Sequence, residues 1–282
     1  WSFETGSVPS QAGHALYFDG FDDIAVLPHR AAFDAIEQQN AVTVEAWIKV
    51  LSWQNGRFPI LEKYDDVSAN GWSLQLRSNG SIEFTGTTPV SCNFSPQLDT
   101  WYHIAASYDR AEGKIRFYVN GSRRCELNYA DALRTTGSGP IFVGAAPSGN
   151  GSFANGVLDE VRVWSTGRSE AEINANIFSI LTGTEPGLAA VLHCDDGQGL
   201  TTAISPGTEH AALQAGPAWL VSSVPMTMPP IPVLLYPGQN GANVPVQPEL
   251  RWMAATSAMT YRVQVSATAD FSDIIFDARD LT

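Results

Sequence analysis

Charge is scarce in this chain of 282 residues, and positive charge is scarcest. Charged residues make up 16%, Lys+Arg number 16 against 29 Asp+Glu, and the formal net charge is −13. An average domain carries about 25% charged residues. Only Lys49, Lys63 and Lys114 are lysines. No basic run exists, so the cationic footprint that phosphate backbones demand is missing and nucleic acid is excluded as a partner. Long apolar runs are missing too. Stretches such as Ala189–Leu192 fall far short of the roughly 20 residues that a membrane span needs. Cysteine is limited to Cys92, Cys125 and Cys194, with no C-x-x-C, which argues against zinc and redox sites. An odd count permits at most one disulfide. Cys92 with Cys125 is the favoured pair, because each stands near the end of a strand in the same region; three buried free thiols are the alternative. The chain opens Trp1-Ser2-Phe3 without Met or an apolar leader, so it is expected to be processed or cut from something longer.

What is present is apolar and rich in turns. Hydrophobic residues make up 44%, with 24 Gly and 17 Pro. This apolar content is too high for a disordered chain, and the length suits one or two domains. Short strands are expected at Ala15–Phe18, Val42–Val50, Trp72–Arg77, Ile82–Thr85, Trp101–Tyr108, Lys114–Val119, Ile141–Val143 and Val157–Trp164. In one of them Ile115, Phe117 and Val119 share a face while Arg116 and Tyr118 take the other, the period-two pattern of a strand with one wet side. Arg77-Ser-Asn-Gly-Ser81 reads as a hairpin connection. Four sequons begin at Asn79, Asn93, Asn120 and Asn150, and three are Asn-Gly-Ser, which serves equally as turn chemistry. Regularly spaced strands with Gly/Asn turns imply an all-β sandwich or jelly roll. One helix is marked by the capping box Ser169-Glu-Ala-Glu172, an apolar stripe at Ile173, Ile177 and Ile180, and the terminators Gly183 and Pro186. A weaker helical turn is expected at Ala31–Glu37. The Pro-rich stretch around Ser222–Pro232 reads as a semi-stiff linker, followed by further alternating segments.

A family resemblance enters with Ala15-Leu-Tyr-Phe-Asp-Gly-Phe-Asp-Asp23. It is carried on by Val42–Ile48, Asp99-Thr-Trp-Tyr-His-Ile-Ala105, Ile115–Gly121, Gly156–Trp164 and Arg168–Ile173. Together these resemble a laminin-G-like, concanavalin A-type jelly roll close to the pentraxins and to bacterial relatives, over roughly residues 13–222. The segment from about 229 to 282 resembles the first half of a fibronectin type III domain, with Pro248–Trp252 and Tyr261–Val265 as its second and third strands. The expected organisation is a jelly-roll domain at 1–222, a linker at 223–232 and a partial fibronectin type III-like domain at 233–282. The resemblance thus implies a longer natural polypeptide.

Catalysis finds little support in the residues. Retaining glycosidases on such scaffolds carry Glu-x-Asp-x-x-Glu, which is absent, and no Gly-x-Ser-x-Gly, His-Glu-x-x-His or P-loop occurs. Asp159-Glu160 is the nearest acidic pair, and adjacent strand residues are expected to face opposite ways. In Val157–Val163 the odd positions place Asp159 among valines, so its carboxyl needs a partner. The resemblance implies a calcium ion held by Asp19 or Asp22 with Asp159 and backbone carbonyls; the alternative is that Asp159 only accepts backbone N–H bonds. Trp53, Tyr64, Asp65, Asn70, Trp72 and Arg77 are candidate sugar-binding residues, with core packing as the alternative for Trp72. Trp47, Trp101 and Trp164 are assigned to packing. The resulting expectation is a non-catalytic module in a secreted or cell-surface bacterial protein, binding a glycan or cell-surface polysaccharide with calcium support. A protein–protein adhesion repeat contacting other surface proteins, or an accessory module of a carbohydrate-active enzyme whose catalytic domain lies elsewhere, are the alternatives.

Overall fold

Period-two alternation is realised in strand after strand. The structure is a computed structural model that describes residues 13–65, 70–133, 137–147, 151–224, 233–236, 251–253, 261–266, 268 and 274–281. The chain divides into two compact units, one spanning Ala12–Met226 and the other including Thr227–Thr282. In the first unit the elements begin with β1 (His14–Asp19), β2 (Ile24–Leu27), α1 (Ala31–Gln39), β3 (Ala41–Ser52), β4 (Arg57–Asp65), β5 (Asn70–Arg77) and β6 (Ser81–Thr85). They continue with β7 (Pro89–Asn93), β8 (Trp101–Asp109), β9 (Lys114–Val119), β10 (Ser122–Asn128), β11 (Ile141–Val143), β12 (Ala145–Ala146) and β13 (Ser152–Phe153). The unit ends with β14 (Asn155–Trp164), α2 (Glu170–Asn176), β15 (Leu188–Leu192), β16 (Thr201–Ala203), β17 (His210–Gln214) and β18 (Ala218–Val221).

Two eight-stranded sheets enclose the core. The first runs β10-β9-β8-β3-β14-β1-β18, with β15 also on β14; the second runs β16-β17-β2-β11-β4-β5-β6-β7. Every pairing within them is antiparallel. Val44, Ala46, Ile48, Ile104, Phe117 and Leu158 from the first sheet meet Phe58, Leu74, Leu76, Ile82 and Phe84 from the second in one buried cluster. This is the jelly-roll sandwich expected from the spacing of the strands. The sequence expectations did not include the long strand β4 or the short strands β2, β7, β10, β12, β13 and β15–β18.

The second unit contains β19 (Val233–Tyr236) paired with β20 (Arg251–Met253), and β21 (Tyr261–Ser266) paired with β22 (Ile274–Leu281). Residues 248–250 of the expected second strand lie outside the described residues. No helix among the described residues is long and apolar enough to cross a membrane.

Cys92 in β7 and Cys125 in β10 are joined by a disulfide. These are the outermost strands of the two sheets on the same flank, so the bond ties one sheet edge to the other. Arg124 adds a hydrogen bond from Nε to the Asn93 carbonyl at 3.0 Å. Cys194 is buried and free. Loop closure over the 33-residue separation is worth about 3–4 kcal/mol. A Cys92→Ala/Cys125→Ala double variant should lose about that much in urea unfolding; a loss under about 1 kcal/mol would show the bond to be incidental.

The helix at Ser169 forms as its capping box requires. Ser169 Oγ accepts from the Glu172 N–H, and the Glu172 carboxylate accepts from the Ser169 N–H. It is shorter than the isoleucine stripe suggested. Ile173 docks on Ala105 and Tyr118 and Ile177 is buried, but Ile180 is 68% exposed. The reason lies in the sheet beneath: Arg162 donates to the carbonyls of Asn176 and Ser179, and Trp47 Nε1 donates to that of Ile177. These side chains take the carbonyls a further turn would use. α1 forms at the weaker site and stops where Asn40 adopts the left-handed conformation at φ 51°.

β14 carries a bulge. Its register with β3 slips between Asp159 and Arg162, and Glu160 has φ 48°. Before the bulge Leu158 faces the core opposite Ile48, while Asp159 lies opposite Trp47 on the outer face. After it Val161 and Val163 face the core, and Arg162 and Trp164 face out. Simple odd–even counting therefore misplaces Asp159. It does not share the face of Val161 and Val163, because one extra residue inverts the alternation.

Candidate functional site

One rim of the sandwich collects the loops that follow β1, β3 and β5. β1 ends at Asp19, where Gly20 turns the chain at φ 89°. A Cβ on Gly20 would lie 2.7 Å from Gln54 Cγ and 2.9 Å from Asn155 Cβ, so the β1–β2 loop is pressed against the β3–β4 turn and the start of β14. The Ser78 N–H donates to Gly56 O, which brings the β5–β6 turn to the same rim.

Three carboxylates converge here. Ligand oxygens of Asp19, Asp22 and Asp23 lie within 4.8 Å of one another. The loop is held by its own acids: Asp23 Oδ2 accepts from the Asp19 N–H at 2.8 Å, Asp19 Oδ1 from the Phe21 N–H at 2.8 Å, and Asn155 Nδ2 donates to Asp19 O at 2.6 Å. Burial, helped by the charges of Asp19 and Asp22, raises the Asp23 carboxyl above its ordinary value against the pull of the Asp19 N–H. Phe21, at the tip of the same loop, is 71% exposed. Trp53 is partly buried against the core nearby.

Asp159 does not join this group. Asp19 pairs with Asn155, so Asp159 stands four residues further along β14, roughly 13 Å away at about 3.3 Å per residue. It belongs instead to a buried network on the outer face of the first sheet, where β1 and β15 meet end to end along β14. Ser222 Oγ donates to Asp159 Oδ2 at 2.6 Å and the Glu160 N–H to Asp159 Oδ1 at 2.8 Å. Glu160 binds Arg162 Nη2 through Oε2 at 2.9 Å and His193 Nδ1 through Oε1 at 2.8 Å. Burial, with the nearby charges of Glu160 and Asp195, pushes the Asp159 carboxyl up to about 8. Burial opposes charge on His193, but the bond to Glu160 outweighs it and raises the imidazole. His103, buried beside Trp47, is held down at about 3 by burial and by the Arg162 charge.

The bulge also corrects the expectation that Asp159 and Glu160 face opposite ways. Both turn to the outer side, yet they are 3% and 4% exposed and engaged with protein donors.

The remaining sugar-binding candidates do not form one site. Trp72 is 1% exposed inside the sandwich, opposite Lys63, so its ring is core and offers no platform. Asn70 and Arg77 are the two ends of β5, about 23 Å apart at about 3.3 Å per residue. The side chains of Tyr64, Asp65 and Asn70 lie outside the described residues. Arg77 and Trp53 belong to the acidic rim's end of the sandwich.

Residues 19–174, more than half of the chain, match the family described as the concanavalin A-like lectin/glucanases superfamily. The chain belongs to this superfamily. No curated protein matches its sequence. Among solved structures, the concanavalin A-like chain is similar to a candidate carbohydrate-binding protein from Bacteroides ovatus, with a TM-score of 0.63 and 20% identity. That match covers 78% of this chain and 63% of the Bacteroides chain, so this chain spans under two thirds of its length. A heptameric SAP-like pentraxin from Limulus polyphemus aligns with a TM-score of 0.48 and 15% identity, over 73% of this chain and 97% of that one. These likenesses concern the fold.

Reading by residue type overlooked Phe21, Gln54 and Asn155 of the concanavalin A-like rim. Phe21 had a signal: one large apolar residue inside the turn Asp19-Gly-Phe-Asp-Asp23 has no strand partner to bury it. Gln54 and Asn155 had none, since only tertiary packing brings them to Gly20.

Proposed function

We propose that this chain is a non-catalytic glycan-binding module of a secreted or cell-surface multidomain protein, with calcium held at the rim by Asp19, Asp22 and Asp23. The observation that carries the reading is the rim itself, three carboxylates within 4.8 Å beside an aromatic ring that is 71% exposed. Calcium takes six to eight hard oxygens. Asp19 and Asp23 each commit one oxygen to a loop N–H, which leaves the others, with Asp22, to face a cation. Burial first, and the Asp19 and Asp22 charges after it, raise Asp23, and a cation at the rim would offset both. Phe21 offers the flat apolar surface on which a sugar ring stacks, and Gln54 and Asn155 pack against the neighbouring Gly20. The engagement and burial of Asp159 and Glu160 support a binding role over hydrolysis. The disulfide is consistent with an oxidising, extracellular compartment. In this reading 1–222 is the binding domain, 223–232 a linker and 233–282 part of a fibronectin type III-like spacer.

Calorimetry on the whole chain should show calcium binding at millimolar concentration or tighter, weakened at least about tenfold by Asp22→Asn, since a ligand carboxylate is lost. A glycan array should then show calcium-dependent signals that Phe21→Ala removes. Silence toward every glycan, with and without calcium, would end the proposal.

A further inference from the structure

The outer face of the second sheet carries a chemically different patch close to the same rim. Phe58 and Leu76 are register partners across β4 and β5, and both side chains lie in the core. The preceding and following residues, Arg57 and Arg77, are also register partners and therefore stand side by side on the outer face. Two like charges directly opposite each other destabilise a sheet. A chain with 16 basic residues and a net charge of −13 nevertheless places two of them so.

Arg57 is not neutralised where it stands, and Arg77 is paired only at long range. Arg57 has no ion pair or side-chain hydrogen bond among the described residues. Arg77 makes one long contact, Nη1 to Glu83 Oε1 at 3.4 Å. Glu83 is bound more closely by Gln75, whose Nε2 donates to the same oxygen at 2.6 Å. Gln75 shares the face of Arg77 two residues away and is nearly buried, and its Oε1 has no partner.

We infer that this patch binds an anionic group carried on a saccharide, a carboxylate or a sulfate ester. The inference rests on the glycan-binding reading above and adds the ligand's charge. The two guanidinium forks face the anion, since planar donor pairs match the geometry of oxyanions. The second oxygen of the partly exposed Glu83 is available to a sugar hydroxyl. A neutral sugar would leave the paired arginines unused.

The test is titration of the whole chain, with calcium chelated so that the acidic rim does not contribute. The probes are galacturonate trisaccharide, a sulfated galactose trisaccharide and neutral galactotriose. One or both acidic probes should bind at least about tenfold more tightly than the neutral one and weaken as salt rises. Arg57→Ala and Arg77→Ala should each reduce that binding on the order of 10- to 100-fold. Arg77→Lys should restore little of it, because the fork is lost although the charge remains. Arg123→Ala, which removes an exposed arginine from β10 of the other sheet, serves as a control that leaves it in place. All three side chains are at least partly exposed, and an unchanged melting temperature confirms folding. Preference for the neutral probe, or full acidic binding in the doubly substituted arginine variant, overturns the inference and leaves the glycan reading standing. Failure to bind any saccharide, with or without calcium, overturns both.

Discussion

Arg162→Met should destabilise the first unit by on the order of 3–5 kcal/mol, more than any surface substitution would. Arg162 is fully buried between Glu45 and Glu160, at 3.7 and 2.9 Å. It also donates to the carbonyls of Asn176 and Ser179, which hold the end of α2 and the chain after it. Removing the guanidinium leaves two carbonyls without this donor and two buried carboxylates without their counter-charge, Glu45 keeping Trp164 Nε1 and Glu160 keeping His193 Nδ1. Restoring neutrality should recover much of the loss, so the triple variant Glu45→Gln/Glu160→Gln/Arg162→Met is expected to unfold at higher urea than Arg162→Met alone. His103 supplies an independent readout. Its imidazole is held at about 3 by burial first and the Arg162 charge second, so its NMR titration should move upward in the variant. A change in stability under about 1 kcal/mol would mean that water reaches this network and screens it.

Asp159→Asn should act in the opposite direction and depend on pH. The carboxyl titrates near 8 in the folded chain against an ordinary value of 3.8. Between those values the unfolded chain has released the proton and the folded chain retains it, so stability falls as pH rises through this window. The contribution is complete below about pH 4 and lost above about pH 8. About four units correspond to an upper bound of about 5–6 kcal/mol, to be discounted for relaxation of the site. Asparagine mimics the protonated state: its oxygen accepts the Glu160 N–H and its amide donates to Ser222 Oγ. The variant should therefore match the parent near pH 4 and exceed it by a few kcal/mol near pH 8.5, as measured by urea unfolding. Taking the difference between the two proteins cancels groups remote from the site such as Asp23, while Asp195, whose charge acts on Asp159, remains within the measured difference. Parallel curves from pH 4 to 8.5 would refute the assignment.

Much of the architecture was legible because the long strands alternate cleanly and their faces are decided locally. Trp72 shows the limit. Its position beside an acidic loop suggested a sugar platform, but it alternates with Leu74 and Leu76 and shares their core face. That face was readable within the strand, and the residue types of the neighbouring loop pointed the other way. Asp159 shows a second limit. The bulge at Glu160 adds a single residue, and nothing in Val-Leu-Asp-Glu-Val-Arg-Val marks it beforehand. The capping box at Ser169 was readable from two residues, whereas the end of its helix was set by Arg162 and Trp47 of a distant sheet. The acidic turn was visible as a cluster, and its separation from Asp159 came only from the register of β1 on β14. The paired arginines were hidden for the same reason, being 20 positions apart in sequence and adjacent only across β4 and β5.

The place where the chain comes into and leaves the sandwich has a mechanical meaning. β1 and β18 are antiparallel neighbours, and the Ser222 N–H donates to Gly13 O at 2.7 Å, so the two ends lie side by side. Tension drawn through both ends would load that ladder one rung at a time, as a zipper opens, and not in shear across all rungs together. The bonds from His14 to Asp195 and from Ser222 to Asp159 are the first to take the strain. The disulfide, on the far flank, lies outside the path of the force. Tension through these two ends would open the β1–β18 ladder and leave the rest of the sandwich unloaded.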